Sequence, residues 1–258
     1  LAEVDLSNIY GDIEFCAVYV GCDINCAQHL NTYWTTAWSS YMAGKYAVVK
    51  LTNRKFYRDG YWNTLTLPFS LDAAKLANTC LAGADIRTFK STAWDNENQR
   101  LTINFSDSNE GKIVAGVPCI IRWGTPGNAP GDIINDPLFT NVEVTITDQS
   151  VFYDGIDEDT KKPNEYETVS EHGLRFQAQI APVQVTANRT LLLGSNNRIY
   201  RPENSVWVRA THAYFTYPSS IDANVRSITM DFGDEQTTTY IEDIRVNDSR
   251  ETNVKGIS

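Results

Sequence analysis

The chain has 258 residues, of which 42% are hydrophobic, 21% charged and 11% aromatic. That composition excludes a disordered, collagen-like or coiled-coil protein, and the length is enough for a large core without a disulfide or metal staple. Twenty-two Lys and Arg against 32 Asp and Glu give a formal charge of -10, so nucleic acid and anionic lipid are not partners held by charge.

Taken in chain order, the β-type runs are EFCAVYV, KYAVVKLT, WNTLTLPF, RLTINF, VPCIIRW, FTNVEVTIT, LRFQAQI, RTLLLG, HAYFTYP, SITMDF and YIEDIRV. Each is rich in β-branched and aromatic residues, and clusters of Gly, Pro, Asn or Asp separate them. The expected fold is all-β, an antiparallel β-sandwich of jelly-roll type with one short helix. Residues 1–44 are expected to form a strand and an aromatic loop packed on the main body, residues 45–250 the sandwich, and residues 251–258 a tail. No apolar run approaches the ~20 residues of a membrane span. The opening LAEVDLSNIY lacks a charged segment followed by an apolar one, so a mature chain or a fragment is expected.

The N-terminal stretch holds Cys16, Cys22 and Cys26; with Cys80 and Cys119 the total is odd, and no C-x-x-C pair occurs. Together with His29 the first three offer donors for zinc, but the tight knuckle spacing is missing. A disulfide from Cys26 to Cys22 or Cys16, or packed thiols, is the simpler reading. Residues 23–41 follow no clean period and carry Tyr33, Trp34, Trp38 and Tyr41, with Tyr57, Tyr61 and Trp62 close behind. Exposed rings can stack on the apolar face of a sugar while Asn31, Thr35 and Ser39 bond its hydroxyls. Tyr33, Trp34, Trp38, Tyr41 and Tyr61 are therefore the candidate ligand-binding residues. The competing use of such rings is a sandwich core with the polar tips at the surface.

In WNTLTLPF, strand parity puts Asn63, Leu65, Leu67 and Phe69 on the core face and Trp62, Thr64, Thr66 and Pro68 on the other, with Pro68 ending the strand or marking an edge. The helix is expected in SLDAAKLANTCLAG, capped by Ser70 or Asp72 and ended by Gly83. In RLTINF, Leu101, Ile103 and Phe105 share one face. Ile120 and Phe215 complete the expected core. The polar stretch 154–173 reads as a solvated excursion. Its DGIDED segment alternates hard oxygen donors, making Asp154, Asp157 and Asp159 candidates for a structural calcium, although the EF-hand spacing is absent. In LLLGSNNRIYRP two short strands flank residues that tolerate positive φ, the pattern of a hairpin turn, which could also offer amides to sugar hydroxyls.

No G-x-S-x-G elbow, P-loop or dinucleotide glycine pattern is present. The carboxylates at Asp154, Asp157, Glu158 and Asp159, and at Asp231, Asp234 and Glu235, sit in polar, loop-like surroundings. No catalytic residue is assigned, and no cofactor beyond the calcium.

Several segments carry a resemblance to a known family. VVKLTNRKFYRDGYWNTLTLPFSL resembles an aromatic- and Arg-containing strand followed by W-N-T-L-x-L-P-F in secreted and cell-surface proteins of gut and oral Bacteroidetes. IVAGVPCIIRW is similar to the family's A-G-x-P-Y-L-I-K strand, with Cys119 where an aromatic commonly sits. IINDPLFTNVEVTI, LLLGSNNRIYRP and HAYFTYP follow in the family's order, the last with His212 replacing the usual Arg. The resemblance covers about residues 45–245 and implies a non-catalytic, all-β, C-terminal-type module of an exported protein. It implies adhesion or ligand presentation, a glycan or a host or cell-surface protein as partner, and location outside the cell or on the outer-membrane surface of a Gram-negative bacterium. The alternatives are a carbohydrate-binding module using the exposed aromatics and a fragment of a glycoside hydrolase or esterase.

Overall fold

The computed structural model describes residues 45–145, 174–180, 182–216, 225–233, 236–240 and 245–246. Within them the β-rich runs pair as strands. These are β1 (Lys45–Lys50), β2 (Lys55–Tyr57), β3 (Asn63–Leu65), β4 (Asp85–Asp95), β5 (Arg100–Phe105), β6 (Cys119–Arg122), β7 (Ile133–Asn135), β8 (Leu138–Val144) and β9 (Arg175–Ala178). There follow β10 (Val183–Val185), β11 (Thr190–Leu193), β12 (Ile199–Pro202), β13 (Val206–Val208), β14 (Ala213–Thr216), β15 (Ser227–Asp231), β16 (Gln236–Tyr240) and β17 (Arg245–Val246). One helical turn, α1 (Ala73–Leu76), lies between β3 and β4.

Two sheets face each other. The larger has the order β16-β15-β5-β4-β6-β3 and the smaller β17-β12-β11-β14-β9. Pairing is antiparallel except between β5 and β15 and between β12 and β17. The ribbons β1 with β8, β2 with β7, and β10 with β13 complete the body.

Side-chain alternation then creates three apolar clusters. The inter-sheet cluster holds Leu101, Ile103 and Phe105 of β5, with Ile120, Leu191, Leu193, Phe176, Phe215, Ile228 and Met230. The opposite face of β6 and the end of β4 supply Cys119, Ile121 and Ile86 to a second cluster, closed by Val49, Phe56, Phe139, Val142, Val144 and Leu76 from the ribbons and α1. A bulge between Phe89 and Ser91 shifts the parity of β4, so Phe89 and, five residues on, Trp94 both pack on the inter-sheet side. On the outer face of the smaller sheet, Leu192 and Tyr214 are covered by Val185 and Val208 of the β10 and β13 ribbon.

All eight expected core residues are at most 1% exposed. WNTLTLPF differs from its expected pattern in one respect, because Trp62, Thr64, Thr66 and Pro68 are buried as well. Leu65, Leu67 and Phe69 join the second cluster while Trp62 joins the inter-sheet cluster, so the segment runs between two cores. The helix stops at Leu76, well short of Gly83. Asp72 caps it, its Oδ1 accepting from the Lys75 amide at 2.8 Å, while the Ser70 hydroxyl accepts instead from the Ala115 amide. The Asn78 side-chain Nδ2 and the Thr79 hydroxyl donate to the Ala74 and Leu76 carbonyls, offering the backbone a local alternative to further helix.

Candidate functional site

β3 ends the larger sheet, pairing with β6 on one side. An edge strand presents alternate backbone groups outward, and at β3 and its flanks the Trp62 amide, the Thr64 carbonyl and the Thr66 amide are each bonded by another segment. The Trp62 amide donates to Asn197 Oδ1 at 2.8 Å. The Thr64 carbonyl accepts from Arg54 Nη2. The Thr66 amide donates to the Thr211 carbonyl at 3.1 Å, and its hydroxyl to the His212 carbonyl at 3.1 Å. The chain just before β14 is thereby joined to β3, and the two sheets are stitched along one seam.

Local sequence positions each of these groups. Asn196 and Asn197 both adopt φ 58°, forming the turn between β11 and β12 that was expected there. Gly194 opens that turn because any Cβ would land on the Tyr200 ring. Arg54 follows a tight turn closed by its amide on the Leu51 carbonyl at 3.1 Å, and its guanidinium lies 4.7 Å from the Phe56 ring centroid. His212 bonds the Ala210 carbonyl through Nδ1 at 3.0 Å, which assigns the proton to Nδ1 and leaves Nε2 to accept from Arg54 Nη1. Burial first, and then the Arg54 charge, hold the imidazole well below its ordinary pKa, so the ring is neutral. Thr211 beside it sits at φ 63°, a strained conformation for a β-branched residue.

The described part of the aromatic stretch lies next to this seam. The Asn63 side chain pins the 57–62 loop, with Oδ1 accepting from the Tyr57 amide at 3.1 Å and Nδ2 donating to the Tyr57 carbonyl at 2.9 Å. Trp62 is fully buried, stacked 5.1 Å from Phe232 with the Arg122 guanidinium 4.3 Å from its ring. It belongs to the core and offers no face to a sugar. Tyr57 and Tyr61 are half-buried. Tyr57 lies opposite Ile133, which with Leu138 is one of two large apolar residues that are well exposed among the described residues. Arg58 pairs with Asp132 at 3.1 Å over the Trp123 ring. Tyr61 is thus the one candidate ligand residue that can be located. Tyr33, Trp34, Trp38 and Tyr41, the calcium candidates Asp154, Asp157 and Asp159, and Cys16, Cys22 and Cys26 lie outside the described residues.

The segments 48–71, 113–123, 133–146, 191–202 and 212–218 come together, in their described residues, along 62–69. β3 pairs with β6; Phe139 packs 5.2 Å from Phe69; Asn197 holds Trp62; and His212 holds Thr66. In the sequence His212 stands out as the replacement of an Arg and as one of three histidines open to a Ser-His-Asp arrangement, and Arg54 carries no expected role. The available signal was a basic residue set against the apolar runs, which a buried position makes intelligible.

Chemically, this arrangement binds backbone. Among the described residues no group of three His, Cys, Asp or Glu is placed to hold a metal ion. Burial pushes the thiols of Cys80 and Cys119 up to about 11 and about 12, so both are protonated and poor nucleophiles at neutral pH. No protein-family model matches the chain, and no curated protein or solved structure is detectably similar to it.

Proposed function

We propose that this chain is a non-catalytic binding or structural module of a secreted or surface-attached bacterial protein, working outside the cell in adhesion or ligand presentation. The observation that carries this reading is the use made of the polar residues in the five family-like segments. Asn63, Asn197, Arg54 and His212 are buried and bonded to backbone, with Arg54 and His212 bonded to each other, a use that supports a scaffold role for these segments. A rigid frame of this kind leaves recognition to surface loops. The test is a panel of glycosidic, ester and peptide substrates at micromolar protein, for which no turnover is expected. Turnover abolished by one carboxylate or Ser substitution would replace this reading with the hydrolase-fragment alternative.

A carbohydrate-binding role is the second reading, favoured by Tyr57 and Tyr61 at the surface on a loop that Asn63 makes rigid. On this reading Tyr33, Trp34, Trp38, Tyr41 and Tyr61 form the sugar platform. Binding through so shallow a surface would fall around millimolar to tens of micromolar Kd. A glycan array with mucin and plant polysaccharides, followed by calorimetry on the parent and Tyr61→Ala, tests it. Loss of binding in a stably folded Tyr61→Ala supports the platform, and no binding of any glycan by the parent rejects it.

A further inference from the structure

The contact between Arg54 and His212 is made by two basic side chains, 3% and 4% exposed, with one hydrogen bond joining them. Such a bond exists only while His212 Nε2 carries a lone pair. The charged groups acting on the ring among the described residues are Arg54, from the turn between β1 and β2, and Arg209, from its own connection between β13 and β14; both are cations. From β3, the neighbouring Thr64 and Thr66 do not titrate. A proton at Nε2 would therefore set an imidazolium against a guanidinium, with a second cation three residues away. The same Arg54 covers the Thr64 carbonyl, and the same loop as His212 supplies the acceptors for the Thr66 amide and hydroxyl.

We propose that this contact is an acid-released clasp on the β3 edge. A proton taken from solvent by His212 Nε2 expels the Arg54 guanidinium, uncovers the Thr64 carbonyl and frees the Thr66 amide, opening the seam between the sheets while the larger sheet stays paired. The sign follows from a ring that is neutral when folded. The closed seam has its full stability above the ordinary histidine pKa of about 6.5 and loses it as the pH falls below that value, because the opened state takes up the proton more readily. The opened edge is a strand with unpaired backbone groups, the kind of surface that pairs with another chain.

Native-state hydrogen exchange by NMR tests the clasp, with rates corrected for the intrinsic pH dependence. In the parent, the opening constant at the Thr66 amide is expected to rise about tenfold per pH unit below about 6.5. It should exceed that of Ile103 in the middle of the larger sheet and be nearly insensitive to sub-denaturing urea, the mark of local opening. In His212→Gln, whose amide oxygen still accepts from Arg54 but does not titrate in this range, the rise should disappear. An equal rise in that variant, or equal opening constants at Thr66 and Ile103, overturns the proposal. Should His212→Gln not fold, the imidazole nitrogen shifts of the parent decide. A ring protonated at Nδ1 alone at pH 6.5 supports the clasp, and one protonated at both nitrogens in the closed state refutes it.

Discussion

The two large apolar clusters on either face of β6 are built differently. Between the sheets, Phe105 lies 5.5 to 6.4 Å from Phe89, Phe176, Phe215 and Phe232, and Phe176 stacks on Phe215 at 4.5 Å. Phe105, Phe176 and Phe215 sit on paired strands of the two sheets, so the backbone that places them is already bonded. On the other face, Phe56, Phe69, Phe139 and Trp123 come from short ribbons and connections, with ring separations of 5.2 Å for Phe69 to Phe139 and 6.2 Å for Phe56 to Trp123. There the chain is positioned by individual bonds, such as Asn63 on Tyr57 and Asp136 Oδ1 accepting from the Asn53 amide at 2.6 Å. The difference teaches that one cluster is organised by sheet pairing, and the other by side chains that substitute for it.

The largest effect that would sharpen this contrast is expected from Phe105→Ala, which removes the ring at the centre of the inter-sheet cluster. It should cost about 3–5 kcal/mol, and Phe69→Ala, with one ring neighbour among the described residues, should fall at the lower end of that range. Denaturant midpoints at unchanged m-value measure both, and the reverse order would break the distinction. Next comes Gly60→Ala. Gly60 has φ 87°, and a Cβ there would land on the Thr125 carbonyl carbon, so both backbone strain and a backbone clash oppose the change. A cost of about 2–3 kcal/mol is expected. The signals of the 57–62 and 124–129 loops should move, whereas those of β5 should stay in place; movement in β5 would mean that the two regions are not independent. The smallest is Asp72→Ala, which removes the cap of a one-turn, largely exposed helix and should lower stability by about 1 kcal/mol in the same unfolding assay. A loss above about 3 kcal/mol would show that α1 helps to hold the second cluster.

Where one face of a strand is buried and the other wet, the pattern could be read directly. Leu101, Ile103 and Phe105 with half-buried Thr102 and Asn104 are the clear case, and the turn at Asn196 and Asn197 was readable because few residues accept its dihedrals. β4 was missed although it is the longest strand described. Its Asp85, Arg87 and Lys90 look like a solvated segment, yet Arg87 is 6% exposed, bonded to Asp85 and to the Ser106 and Phe232 carbonyls. The bulge at Phe89 further hides its alternation. The short ribbon strands β2, β7, β10 and β13 were missed because three residues carry too little period to recognise. Of the candidate site, Tyr61 could be placed near the surface, while the seam formed by Arg54, Thr66, Asn197 and His212 had no signature, its members being up to 158 residues apart.

By itself the sequence determined the all-β class, the strands with one dry face and the turns with positive φ, because these depend on residues close along the chain. Only the tertiary structure decided that Trp62 is core, that WNTLTLPF is dry on both faces, and that a histidine and an arginine close the edge of a sheet. Whether a ring or a charge is buried depends on what another segment lays against it, and no local pattern of side chains carries that information.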